Sequence, residues 1–115
     1  MVMVAVAAGG VLGSLARYGL ASAFPGAVTT FAVNVVGCLL IGALMAVPAR
    51  RPWQRPFLGV GVLGGFTTFS TAMVDVTTLV REGRPAVAAL LLVGTAAVAL
   101  TATAAGLWAT KAVLR

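Results

Sequence analysis

The chain has 115 residues, of which 61% are hydrophobic and 9% are charged. Soluble domains carry about 25% charged residues, so this composition excludes an ordinary soluble domain and predicts an all-α membrane protein. With one Cys and no His, the chain has too few ligands for a zinc site, and the lack of a nucleophile–base pair argues against an enzyme. The net charge of +6 fits basic residues that flank membrane spans and does not call for nucleic acid.

Four apolar stretches fill almost the whole chain, and each is close to the roughly 20 residues that cross a bilayer. The predicted spans are about 2–20, 27–47, 57–80 and 86–109. We therefore expect one four-span domain over residues 1–115, in a multi-pass protein of the cell membrane. The first span follows no basic signal-peptide start, so we interpret it as permanent. A chain this small can hardly enclose a pathway alone, and we expect it to form an oligomer.

The first span combines small residues with one charge near its end. Gly9, Gly10 and Gly13 permit close helix packing. Arg17 has two interpretations. It is either a snorkelling interfacial residue, with Tyr18 in the aromatic belt, or a vestibule charge that attracts anions.

The second span contains Asn34, an amide at membrane depth that needs hydrogen-bond partners. Its side chain offers two N–H donors and one carbonyl acceptor. One interpretation is an interhelical hydrogen bond. The other is a neutral donor that faces a dehydrated anion and binds it without trapping it.

The third span carries a polar run at 64–71, which is the most informative feature of the sequence. Gly64 and Gly65 loosen a helix, and hydroxyls that cannot face lipid follow them at Thr67, Thr68, Ser70 and Thr71. This pattern predicts a third helix broken near its middle at a conduction or binding site. Freed carbonyls there suit a monovalent cation, and half-helix N-termini suit an anion. The positive ring edge of Phe69 suits a small anion, although spacing alone favours lipid or interhelical packing for this residue.

The charged and polar residues beyond the run at 64–71 also have two interpretations each. Asp75 is expected to pair with Arg81 or Arg84 near the interface, the alternative being ion or proton handling. In the fourth span, Thr95 and Thr103 are eight residues apart and share a helix face. They either bond to their own backbone or form a polar track.

The basic residues are divided unevenly between the two sides of the membrane. With four spans, both termini lie on one side, and that side also holds the loop between the second and third spans. It carries Arg50, Arg51, Arg55, Lys111 and Arg115. The bias is modest and predicts that the termini lie in the cytoplasm, with an evenly mixed orientation as the alternative.

Three motifs together resemble the fluoride channel family (Fluc, also called CrcB). They are G-G-x-x-G-x-x-x-R-Y at 9–18, T-x-x-V-N-x-x-G at 30–37, and G-G-x-T-T-F-S-T at 64–71. The motifs cover three of the four spans, and the resemblance depends on their order and spacing. The resemblance implies an antiparallel dual-topology dimer with two fluoride pores and a structural sodium ion at its interface. It also implies passive export of fluoride from the cytoplasm, which relieves fluoride toxicity.

The resemblance also assigns roles to residues of this chain. The backbone carbonyls of Gly64 and Thr67 would hold sodium. Asn34 would donate to fluoride, and Phe69 would offer its ring edge. The remaining ion pathway would use the hydroxyls of Thr68, Ser70, Thr71, Thr95 and Thr103, with Arg17 at the vestibule or interface.

Two positions depart from the family pattern. Ala72 stands where a second phenylalanine is common, and Leu91 stands where a tyrosine is often seen. Some species make two different subunits that pair, so we hypothesise that this chain is half of a heterodimer; the homodimer is the alternative. Two other classes remain open: a small dual-topology multidrug transporter, which needs a first-span carboxylate that is missing here, and a non-conducting assembly subunit.

Overall fold

The computed structural model describes all 115 residues, and every regular element in it is helical. Four helices are long and apolar enough to cross a membrane: Val2–Ala23, Ala27–Ala46, Pro56–Arg81 and Pro85–Val113. They are called the first to fourth spans below. The prediction of an all-α protein with four membrane-length helices is confirmed. The fourth span runs past the predicted end at 109, because its helix continues through Lys111, whose long side chain can carry its charge to the interface.

The third span is not uniform along its length. It begins as a π-helix at Pro56–Leu63, continues as an α-helical turn at Gly64–Phe66 and ends as an α-helix at Phe69–Arg81. It bends at one point, because Thr67 and Thr68 have extended backbone with ψ of 153° and 114°. These two residues are called the bend below.

The first span packs closely against the third through glycines. A Cβ on Gly9 would collide with the backbone of Phe57 and Val62, and one on Gly13 with the backbone of Val62 and Phe66. Backbones this close leave no room for a side chain, so the close-packing interpretation of these two glycines is confirmed. The third predicted packing residue, Gly10, has open space where its own Cβ would stand.

The second and fourth spans form the other close pair. Gly42 lies against the backbone of Thr103 and Leu107, and Gly106 lies against the backbone of Leu39. Nearer the start of the second span, Asn34 shares a cavity with the earlier part of the fourth span. The two spans therefore run parallel, and their C-terminal ends lie at the same end of the bundle as the loop at 47–55.

The interior of the single chain is small. Buried residues lie mainly where spans touch, whereas large apolar side chains such as Leu90 and Leu100 are about three-quarters exposed, at 73% and 75%. Such a surface suits lipid or a second subunit rather than water. The large apolar surface left open by this small interior is in keeping with the expectation of an oligomer.

Candidate functional site

Asn34 ties the second span to the bend. Its Nδ2 donates to the Thr68 carbonyl at 2.9 Å, and the Thr68 N–H donates to Asn34 Oδ1 at 2.7 Å. The amide thus replaces both backbone partners at an interrupted position, and it is 8% exposed. Because the Thr68 N–H is turned toward Asn34, the Gly64 carbonyl loses the donor that a continuous α-helix would give it.

The first span also contributes side chains to the third. Arg17 Nη1 donates to the Thr67 carbonyl at 3.1 Å, and Ser14 Oγ donates to the Gly65 carbonyl at 3.4 Å. Arg17 therefore reaches inward along the bundle, and its guanidinium contacts one of the two carbonyls that the family resemblance assigns to sodium. The bend is held from two sides, by the first span and by the second.

The hydroxyls after the bend bond to one another. Thr68 Oγ1 accepts from the Thr71 N–H at 3.2 Å, which caps the helix that starts at Phe69. The same oxygen donates to Thr71 Oγ1 at 3.1 Å and lies 3.3 Å from Ser70 Oγ. The cluster satisfies polar groups at the bend, and it leaves the hydroxyls of Ser70 and Thr71 on an exposed surface.

Two cavities lie beside the bend, one small and one larger. The smaller, called the inner cavity, measures about 10 Å³, close to the roughly 10 to 15 Å³ that one water-sized particle needs. It is lined by Ala27, Thr30, Phe31, Asn34, Ala72, Asp75, Leu91 and Thr95. The larger, called the outer cavity, measures about 160 Å³ and is lined by Arg17, Tyr18, Ala21, Thr29, Thr30, Val33, Thr68 and Thr71. Thr30 lines both.

Asp75 does not pair with Arg81 or Arg84, and that expectation is wrong. Asp75 lines the inner cavity and forms no salt bridge with either arginine. The two arginines are exposed at the end of the third span and in the following loop. The expectation failed because it used only sequence distance, whereas the helix turns Asp75 toward the second and fourth spans.

The threonines of the fourth span have different partners. Thr103 Oγ1 donates to the Ala99 carbonyl at 2.9 Å, and Thr101 Oγ1 to the Ala97 carbonyl at 2.8 Å, so both bond to their own helix. Thr95 lines the inner cavity. The chain therefore brings Thr95 and Asn34 together, and it leaves Thr103 away from both cavities beside the bend; a pathway role for Thr103 stays a prediction.

Phe69 lies outside both cavities. Its side chain is 73% exposed, and it projects from the first residue of the helix after the bend. The exposed ring and the exposed hydroxyl of Ser70 form one surface next to the bend. A role for Phe69 in contacting an ion requires a second chain to close that surface.

Both departures from the family pattern lie at one place. Ala72 is 5% exposed, and together with Leu91 it lines the inner cavity beside Asn34. Small and aliphatic groups thus stand where the pattern would put two rings. The sequence alone does not show that Ala72 and Leu91 lie close together, because the two residues belong to different spans.

Thr30 is the residue that sequence reasoning missed as a site candidate. It precedes Asn34 by four residues, so the two side chains share one face of the second span. That spacing was the available signal. Its position between the inner and outer cavities follows only from the packing of the second span against the third and fourth.

The comparisons with known proteins agree on one family. The family model for CrcB-like protein, Camphor Resistance (CrcB), matches residues 4–107. The chain is 48% identical to the fluoride-specific ion channel FluC 2 of Thermobifida fusca, with 98% of this chain and 90% of the relative covered. It is 45% identical to FluC 1 of Streptomyces coelicolor, covering 99% and 80%, and 45% identical to FluC of Paracoccus denitrificans, covering 89% and 88%.

Proposed function

This chain belongs to the CrcB-like family of fluoride-specific ion channels, and from that premise we propose that it passes fluoride through the inner cavity. It is a multi-pass membrane protein of a channel family rather than an enzyme. The observation that carries the proposal is the shape and lining of the inner cavity. It has room for about one water-sized particle, and Asn34, Thr30 and Thr95 among its lining residues carry neutral donor groups. Asp75 lines the same cavity, so fluoride could pass only with that carboxylate protonated or turned aside.

The proposed route runs from the outer cavity to the inner one. Arg17 supplies a positive charge at the outer cavity, where four threonines also supply hydroxyls. Thr30 lines both cavities and would pass the ion between them. Neutral donors can replace the water around fluoride without creating a deep electrostatic well, so an ion can leave as well as enter. Thr68, Ser70 and Thr71 would extend this polar surface along the bend.

Conduction is proposed to be passive. The chain has no His, and Asp75 is the only acid within the four spans. Such a chain offers little for the stepwise proton exchange on which a multidrug transporter depends. The physiological result would be leakage of fluoride out of the cytoplasm, down its own gradient.

A dual-topology dimer is the proposed assembly. The bend of a single chain lies beside an exposed surface that includes Gly64, Phe69 and Ser70. A second, antiparallel subunit would cover that surface, and its Phe69 could then face an ion beside the other chain. The bent third span would act as two half-helices whose ends point toward the middle of the membrane.

Sodium is the proposed structural ion at that interface. The Gly64 carbonyl has lost its helical donor to Asn34, and neutral backbone oxygens are suitable ligands for a monovalent cation. The Thr67 carbonyl has a second lone pair beside the one that Arg17 uses, and sodium bound there would have to offset repulsion from the guanidinium. Bound sodium would supply positive charge that joins the two bends.

The sodium proposal is tested by thermal unfolding of the purified protein in sodium chloride and in a salt of a large organic cation. A higher unfolding temperature in sodium is expected. Equal unfolding temperatures at matched ionic strength would contradict the proposal.

A heterodimer is one form of the dimer that we propose, and a homodimer is the alternative. Ala72 and Leu91 remove two rings from one cavity, so a partner subunit with an intact cavity would restore conduction in one of the two pores. The numbered names FluC 1 and FluC 2 among the relatives are in keeping with paired subunits. A stable homodimer that conducts fluoride at full rate would count against it.

Fluoride efflux from liposomes tests the function. The purified chain is reconstituted alone and with a second family member from the same source, and chloride efflux is the control. Fluoride efflux without chloride leakage in either sample supports the proposal. Absence of fluoride efflux in both, from protein shown to be folded and assembled, would overturn it.

A further inference from the structure

An open groove runs between the second and third spans, at the end of the bundle opposite the inner cavity. It measures about 380 Å³ and is lined by Ile41, Met45, Arg55, Pro56, Gly59 and Val60. Met45 and Val60 are 47% and 66% exposed, so the apolar walls open to the surroundings. Arg55 is the single charged residue among them.

Arg55 is fixed at the loop end of this groove. Its Nη2 lies 3.4 Å from the Val47 carbonyl and 3.5 Å from the Met45 carbonyl, at the C-terminus of the second span. A cation is favourable there, because the helix end carries partial negative charge. A guanidinium has five N–H donors, so those on Nη1 and Nε remain for an anion.

Two more arginines belong to the same loop. The backbone N–H groups of Arg50 and Arg51 donate to Gln54 Oε1 at 2.8 and 3.3 Å, which orders this turn. Both arginines are exposed, and residues 1–74 contain no acidic residue. The positive charge above the groove therefore has no counter-ion in this part of the chain.

We propose that this basic groove, formed by the six lining residues with Arg50 and Arg51, binds one acyl chain of an anionic phospholipid. The lipid phosphate would lie on Arg55, with Arg50 and Arg51 adding attraction. A basic pocket between membrane helices is typical of sites for anionic headgroups. A neutral lipid would fill the groove and leave the positive charge uncompensated. A free phosphate would neutralise the charge and leave the groove unfilled.

The loop between the third and fourth spans provides the contrast. It also has two arginines, Arg81 and Arg84, but Glu82 lies between them. None of these residues lines the basic groove or either cavity at the bend. This loop is a matched control that keeps arginines at an interface and lacks the groove.

Lipid binding to the detergent-solubilised full chain, measured by native mass spectrometry, tests the proposal. Phosphatidylglycerol is compared with phosphatidylcholine and with glycerol phosphate. We expect phosphatidylglycerol to bind most tightly, and Arg50→Gln with Arg51→Gln to weaken it by about fivefold per charge. The control pair Arg81→Gln and Arg84→Gln should leave binding unchanged.

A second variant separates the groove from simple charge attraction. Val60→Trp fills the groove and keeps every arginine, so it should also weaken phosphatidylglycerol binding. Equal binding of phosphatidylcholine, equal loss in the control pair, or full binding by a folded Val60→Trp protein would each overturn the proposal. Binding that disappears when subunits associate would instead assign the groove to a second chain and overturn it as well.

Discussion

The bend and the inner cavity lie side by side and both contain polar side chains, but the pairing of those side chains differs between the two places. At the bend, the backbone groups of Thr68 are paired with Asn34, and the Thr67 carbonyl is paired with Arg17. In the inner cavity, Asp75 has no charged partner, and the hydroxyl of Thr95 faces the space rather than its own helix. Paired groups hold the fold, whereas the unpaired hydroxyl of Thr95 is available to an anion, which the Asp75 carboxylate would repel.

Asn34→Ala should have the largest effect on stability, because it leaves the N–H and C=O of Thr68 without partners at membrane depth. Each group left unpaired costs roughly 1 to 3 kcal/mol. We expect a marked fall in the thermal unfolding temperature and loss of fluoride efflux. Val36→Ala is the control, since Val36 lies on the same span and is 45% exposed. A normal unfolding temperature for Asn34→Ala would show that the bend does not depend on this pair.

Arg17→Gln should have a smaller effect, because it removes one charged hydrogen bond to the Thr67 carbonyl. The expected loss is about 1.5 kcal/mol, toward the lower end for hydrogen bonds to charged groups. Arg17→Lys keeps the charge and should lose less. Thermal unfolding of both variants is compared with that of Arg81→Gln, an exposed loop residue. If Arg17→Gln were as stable as Arg81→Gln, the contact would contribute nothing to holding the bend.

Asp75→Asn should change stability by less than about 0.5 kcal/mol, because no group in the chain loses a charged partner. The same thermal unfolding assay measures it. Large destabilisation would mean that the carboxylate is paired after all, and the contrast between bend and cavity would fail. Stability equal to or above that of the original chain would sharpen the contrast.

Thr95→Val should have the smallest effect on stability and a clear effect on flux. Loss of a hydrogen bond to an anion is expected to slow fluoride efflux by about tenfold. Thr101→Val is the matched control, because its hydroxyl already bonds to the Ala97 carbonyl. Equal efflux rates for the two variants, at equal protein content in the liposomes, would remove Thr95 from the proposed route.

Much of the fold could be predicted from the sequence, because the length of an apolar stretch decides whether it spans a membrane. The polar run at 64–71 likewise marked the region of the bend, since four hydroxyls within five positions need partners in lipid. The choice between the two interpretations of Asn34 depended on its neighbours. Its bonds to Thr68 are interhelical, and the same residue also lines the inner cavity.

The rest of the site depends on how helices are rotated against one another. Arg17 and Thr67 are 50 residues apart, and no local pattern indicates that their side chain and backbone meet. Asp75 was misassigned for the same reason, because charge and spacing favoured a pair that the rotation of the helix prevents. The exposed position of Phe69 belongs to a surface that one chain does not complete.

The π-helical start of the third span has a consequence for which deletions the chain can tolerate. The Gly64 N–H bonds to the Gly59 carbonyl, five residues back, so the segment holds more residues per turn than an α-helix. Deleting one residue from 56–63 would let the segment relax to α-helical geometry, and the tighter winding would largely offset the lost residue. Thr68 would then keep much of its orientation toward Asn34. The same deletion within Phe69–Arg81, which is already α-helical, would turn every later side chain by about 100°. The π-helical segment is therefore the part of the third span that can lose a residue with the least misalignment.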